Sequence, residues 1–218
     1  MVSILWTEGT VNMALSVRYE RDGLVLPRAI GGDAALDLVN TFAGWDRPSA
    51  ASTRDYLQSY EHLVLWSASV GMVAEADVGS LRRAGRRKPA AADEALHRAK
   101  QLRTAVHDLL LDSAGTPTDV ALETVQEIAG VAITAARLRW EPPATLEFAE
   151  GVRRPLDQLG WHCLHFLGTT DATRVGACPG RDCGWLFIDR AGRRRWCRME
   201  WCGNRAKART HARRRQTT

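Results

Sequence analysis

CPGRDCGWLFIDRAGRRRWCRMEWCGNRAKARTHARRR, residues 178–215, holds four cysteines in two pairs and then runs out in arginine. The spacing is Cys178-x4-Cys183, thirteen residues, then Cys197-x4-Cys202. Two short pairs joined by a longer loop deliver the four tetrahedral ligands that zinc takes. Two other readings stand beside this one. Unrelated reduced thiols are the first; disulfides, disfavoured by a total of five cysteines, are the second. Between the pairs, GWLFID (184–189) reads as a strand and RAGRRRW (190–196) contains a glycine turn. From Gly203 the run of alanine, lysine and arginine reads as a helix. The segment has too few apolar residues to fold alone, so bound metal would supply folding free energy. Trp185, Phe187, Trp196 and Trp201 are candidates to cover the site and dock it on the rest of the chain. Four protein ligands leave no position for water, so one structural Zn²⁺ is expected rather than a catalytic one. On these grounds Cys202→Ser should lose the metal and melt the tail while the preceding helices stay folded.

The charge is divided along the chain. From Cys178 onward, twelve Lys and Arg face three Asp and Glu, a net of +9, whereas residues 1–177 carry a net of −4. A mildly acidic body with a strongly basic tail suits a polyanionic partner. At 218 residues and 45% apolar, the chain has room for one ordinary domain and a small module. No apolar run approaches the length of a membrane span. The start, MVSILWTEGTVNMAL, lacks the basic end and apolar centre of a signal peptide, and Met13 is an alternative initiator. Cytoplasmic location follows as the expectation, and there spaced thiols are more often metal ligands than disulfides.

Before the cysteines, the periodicity is mainly helical. LVLP (24–27) reads as a strand, and GGDAALDLVNTF (31–42) as a glycine turn followed by a short extended piece. Apolar residues at three- and four-residue spacing predict helices over 53–71, 93–112, 120–137 and 151–167. The last is tolerable around Pro155 only if that residue lies in its first turn, near 154. GRRKPAA (85–91) reads as a loop, SAGTPTD (113–119) as a turn, and LRWEPPATLEF (138–148) as a hairpin across its proline pair. The fold class is therefore mainly α. A helical domain with short β-strands, residues 1–175, precedes a four-cysteine zinc module, residues 176–218, of treble-clef-like hairpin and basic helix.

Several motifs resemble a known family. CGWLFIDR, RRWC and above all CGNRAKARTHARRR resemble the CGNR-type zinc finger, and Cys178, Cys183, Cys197 and Cys202 match its ligand positions. AIGGDAALDLVNTF (29–42) and LHRAKQLRTAVHDLL (96–110) resemble the opening motif and central helix of the ABATE-type domain. That domain precedes the finger in a family assigned to stress-induced transcriptional regulation. The resemblance covers about residues 28–213. It implies DNA binding and regulation.

On a helix over 203–215, Arg205, Arg209 and Arg213 fall in one row, and Lys207, His211 and Arg214 in another. So basic a helix repels itself, and a polyanion would neutralise it with counterion release. Arg193, Arg194 and Arg195 in the finger loop are candidates for further phosphate contacts. Most arginines at such interfaces hold phosphate rather than bases. A solvated tail is the plainer alternative, and RNA remains open beside DNA. Asn204 caps the helix or turns its amide to a carbonyl or a base edge.

No P-loop, GxGxxG, GxSxG or HExxH motif is present, so no enzyme is expected. A ligand-binding protein or enzyme braced by the finger is the alternative. His162 and His165 sit three apart on the last body helix, with Cys163 on its apolar side. Asn40 and Thr41 are expected to satisfy backbone groups at a strand end. Trp45, Trp66, Trp140 and Trp161 are expected in the core, or else lining a pocket for a small-molecule effector. A homodimer is a further possible role of the body.

Overall fold

The computed structural model describes residues 17–45, 53–111 and 118–216. The alternative start at Met13 and most of the 113–119 turn lie outside these residues.

Strands β1 (Arg18–Arg21) and β2 (Leu24–Pro27) form an antiparallel hairpin. Its turn, Asp22-Gly23, takes positive φ at both positions, 51° and 78°. That twist matches the strands it joins, and Asp and Gly tolerate it. Helix α1 (Ala34–Val39) follows. Here the extended reading of 31–42 is corrected. Asp33 caps the helix by accepting from the Ala35 amide, and the Asp37 carboxylate accepts from the Ile30 and Gly31 amides, each at 2.7 Å. These local bonds make the turn helical despite its short apolar run.

Strands β3 (Phe42–Ala43) and β4 (Arg54–Asp55) pair next. The helix expected over 53–71 begins only at Tyr60, as α2 (Tyr60–Ser69). The Asp55 carboxylate accepts from the Leu57 amide and closes a local turn, and Ser59 caps the helix, so 53–59 stay outside it. Helix α2 is buried from His62 to Ser67, all round its axis, which places it inside the domain.

The loop expected over 85–91 is also corrected. Helix α3 (Val78–Arg87) runs into it and α4 (Pro89–Leu111) starts inside it, so Lys88 alone breaks the two. Proline suits the first helical position because its missing N–H has no helical partner there. Helix α5 (Thr118–Ala135), the hairpin of β5 (Arg137–Arg139) and β6 (Thr145–Glu147), and α6 (Arg154–Thr169) lie close to expectation, with Pro155 in the first turn of α6. Strand β7 (Val175–Ala177) pairs antiparallel with β8 (Leu186–Ile188), and α7 (Asn204–Gln216) ends the described chain.

Helices α4, α5 and α6 form the central layer, with α1 and α2 against it. The main core contains Leu36, Leu38, Leu63, Trp66, Leu102, Val106, Ile128, Leu159 and Phe166. Leu186 of β8, from the cysteine-rich segment, belongs to the same core. A second cluster joins Tyr56 to Trp185, Phe187 and the four cysteines. Of the four body tryptophans, Trp66 is fully buried, Trp45 stacks on His107, Trp161 is partly buried, and Trp140 is 77% exposed on the β5–β6 side. His162 Nε2 donates to the Asp33 carboxylate at 2.8 Å, and Cys163 is buried. No helix among the described residues is long and apolar enough to cross a membrane.

Arg103 of α4 is buried and grips Asp55 with both guanidinium nitrogens, at 2.8 and 3.2 Å. Burial alone would raise the Asp55 carboxyl, but Arg103 and then Lys100 hold it below its ordinary value of 3.8. A depressed carboxyl contributes stability above the unfolded value and loses it as pH falls through the folded one. The urea midpoint should therefore drop below about pH 4 more steeply in wild type than in Asp55→Asn.

Candidate metal centre and nucleic-acid interface

Cys178 follows β7, and its amide donates to the Trp185 carbonyl at 2.8 Å. A tight turn then returns the chain through Gly180 and Asp182, the latter with a φ of 62°, to Cys183. A Cβ at Gly180 would lie 2.8 Å from the Cys202 sulfur, so only glycine fits beside the cluster. Cys202 sits in a single wide turn, Met199–Gly203, that leads into α7.

These turns bring the four sulfurs within 4.8 Å of one another, all buried and none in a disulfide. Cys183 and Cys197 are 3.7 Å apart, and Cys197 and Cys202 3.6 Å. A tetrahedron of Zn–S bonds of about 2.3 Å has edges of about 3.8 Å. The donor set therefore fits one structural Zn²⁺. As free thiols, the four compete for their protons. Hydrogen bonds from Cys183, Cys197 and Cys202 push the Cys178 thiol down, while Cys178 pushes Cys183 and Cys197 up. A divalent cation replaces those protons.

The finger is docked on the body through backbone atoms. The Asn40 amide donates to the Leu186 carbonyl at 2.9 Å, and its carbonyl oxygen accepts from the Leu186 amide at 2.8 Å. The Ile188 amide donates to the Gly31 carbonyl, and the Gly44 amide to that of Cys183. Trp185 Nε1 donates to the Phe42 carbonyl at 2.9 Å. Asn40 thus satisfies strand backbone as expected, but the strand is the finger's. Thr41 donates to the Leu38 carbonyl and accepts from Arg103.

The finger-loop arginines divide. Arg194 turns inward. Its guanidinium donates to the Ile30, Trp196 and Cys197 carbonyls and lies 4.4 Å from the Phe187 ring centre. Arg193 and Arg195 are exposed. The loop itself is organised by Asp189, a residue the sequence reading passed over, whose carboxylate accepts from the Ala191, Arg193 and Arg194 amides. Its place just before a glycine turn was the available signal. Arg194→Ala should cost about 2 kcal/mol by leaving part-buried carbonyls unpaired, whereas Arg195→Ala should leave thermal stability unchanged. Differential scanning calorimetry of the two variants checks this.

The basic residues of α7 divide between two grooves and the open surface. Lys207, His211 and Arg214 line one groove with Arg195 and Trp196, of about 590 Å³. Arg205 lines another, at the seam with the body, with its guanidinium 5.8 Å from the Trp201 ring centre. Arg209 is partly covered and Arg213 exposed. Asn204 opens α7, and its amide donates to the Glu200 carbonyl at 3.3 Å.

Two family models match the chain. The ABATE model, described as "Putative stress-induced transcription regulator", matches residues 32–162. The CGNR zinc finger model matches residues 174–215. No curated protein matches the chain.

Proposed function

The chain belongs to the ABATE family and carries a CGNR zinc finger, and from that premise we propose that it is a non-enzymatic, cytoplasmic, zinc-dependent DNA-binding regulator of transcription. The observation that carries the reading is the groove between the finger loop and α7. Arg195, Lys207, His211 and Arg214 line it, and no carboxylate among the described residues does. The zinc cluster fixes the root of α7 beside the loop, so the two basic segments meet a polyanion together. A helix bearing Arg205, Lys207, Arg209, Arg213 and Arg214, with Arg193 and Arg195 alongside, contacts phosphate first and bases second. Arg194 is left out of this set because its guanidinium is committed to carbonyls of the finger and the body.

If about six phosphates are neutralised, the log–log salt slope of binding to duplex DNA is about −5, and Lys207→Ala makes it shallower by about 0.9. Fluorescence anisotropy at several salt concentrations measures both. A slope near zero for wild type removes the reading. Competition between duplex DNA and structured RNA separates the two polymers. Selection from fragmented genomic DNA against excess non-specific competitor then tests regulation: a few discrete fragments support it, and uniform recovery opposes it.

A further inference from the structure

The seam between body and finger holds a second groove, a cleft of about 570 Å³, within the range of small-molecule sites. One wall comes from the body, with Arg54 and Tyr56 of the β4 region and Arg18 of β1. The other comes from the finger, with Trp185, Trp201 and Arg205. Aromatic rings and guanidinium groups thus meet in one concavity, with Asp182 as the sole carboxylate among the described residues of its lining. Two polar groups there lack partners. Tyr56 is 6% exposed, and its hydroxyl has no hydrogen bond among the described residues. Arg54 has no carboxylate partner among them either.

The Tyr56 ring is buried while the residue lines the cleft, so its hydroxyl can donate to a ligand there. Guanidinium groups bind carboxylates with directional, charge-assisted bonds, and flat rings stack on tryptophan and tyrosine. The Tyr56 phenol carries an O–H donor. Cys183, Cys197 and Cys202 line the same cleft but offer no cation, so an acid group finds its partners in Arg54 and Arg205. We propose that this cleft binds a small planar aromatic anion, its acid group on Arg54 and Arg205 and its ring against Tyr56 and Trp201. Because Arg54 belongs to the body and Arg205 to α7, the anion ties the two together. That it thereby tunes α7 rests on the nucleic-acid reading; the binding itself does not.

The test is isothermal titration of the zinc-loaded full chain with 2-naphthoate and with its neutral counterpart, 2-naphthamide. No nucleic acid is present, so the result is independent of duplex binding. The acid should bind one-to-one and at least about tenfold more tightly than the amide. Arg54→Gln, at an exposed position, should erase that preference while the thermal melt stays unchanged. Tyr56→Phe should weaken the acid by several-fold, and Arg190→Gln, exposed on the finger and outside the cleft, should not alter it. No saturable heat up to about 5 mM acid overturns the proposal, since tighter binding than that is what a formed site provides. Equal binding of acid and amide, or an acid affinity untouched by Arg54→Gln, overturns it as well.

Discussion

Cys197→Ser should lose stoichiometric zinc and lower the melting temperature of the helical body along with that of the finger. The first effect follows from the cluster. Cys197 lies within 3.7 Å of both Cys183 and Cys202, and structural zinc sites contribute about 10–16 kcal/mol of apparent binding free energy at neutral pH. Serine offers no comparable thiolate. The second effect follows from packing, and it changes the expectation that the tail would melt alone. Leu186 is fully buried in the main core, and Trp185 and Phe187 are almost so. Each such side chain contributes about 1.5–3 kcal/mol. Loss of the finger thus withdraws about 5 kcal/mol of burial, and for a chain of this size about 10–20 °C of melting temperature. Elemental analysis reads the zinc, and helical circular dichroism on heating reads the body. An unchanged melt of the helical signal would show that the docked strand contributes nothing to the body.

Asn40→Ala should be the most damaging substitution that touches neither zinc nor the basic surface. Asn40 is fully buried and makes two hydrogen bonds to one residue, Leu186, 146 positions away. Alanine removes both bonds and leaves a buried amide and a buried carbonyl on β8 without partners. Each orphaned group costs about 1–3 kcal/mol, so the pair amounts to about 3 kcal/mol, or about 6–12 °C. Asn40→Asp makes the useful comparison. The carboxylate still accepts from the Leu186 amide but cannot donate to its carbonyl, and it buries a charge. It should be at least as destabilising as alanine, although it is nearly the same shape. Recovery of wild-type stability in Asn40→Asp would show that the donated bond is unimportant.

The parts legible in the sequence are those with a short-range signature. Ligand spacing led to the four cysteines, apolar periodicity to α4, α5 and α6, and the proline pair to the β5–β6 hairpin. The misread parts are governed by contacts that spacing does not encode. The short helix α1 is held by Asp33 and Asp37, which cap and tie the chain locally while its apolar residues mimic a strand. The first turns of the predicted 53–71 helix are withheld by Asp55, which serves Arg103 from a distant helix. Arg194 looked like its neighbours Arg193 and Arg195. Its different fate is set by the carbonyl of Ile30, 164 residues away. The motif around Asn40 was visible as a pattern, but its partner was not, because pairing with Leu186 is a property of the folded chain only.

The docking of the finger through backbone atoms has a mechanical side. Helix α7 has 13 residues, a rod of about 20 Å. Its root is clamped by the metal, and the metal-bearing segment is clamped in turn by the body. A tilt of about 5° at that root swings the far end by about 1.7 Å, over half the length of a hydrogen bond. A movement at the seam too small to break any packing is thus magnified at the far end of the rod.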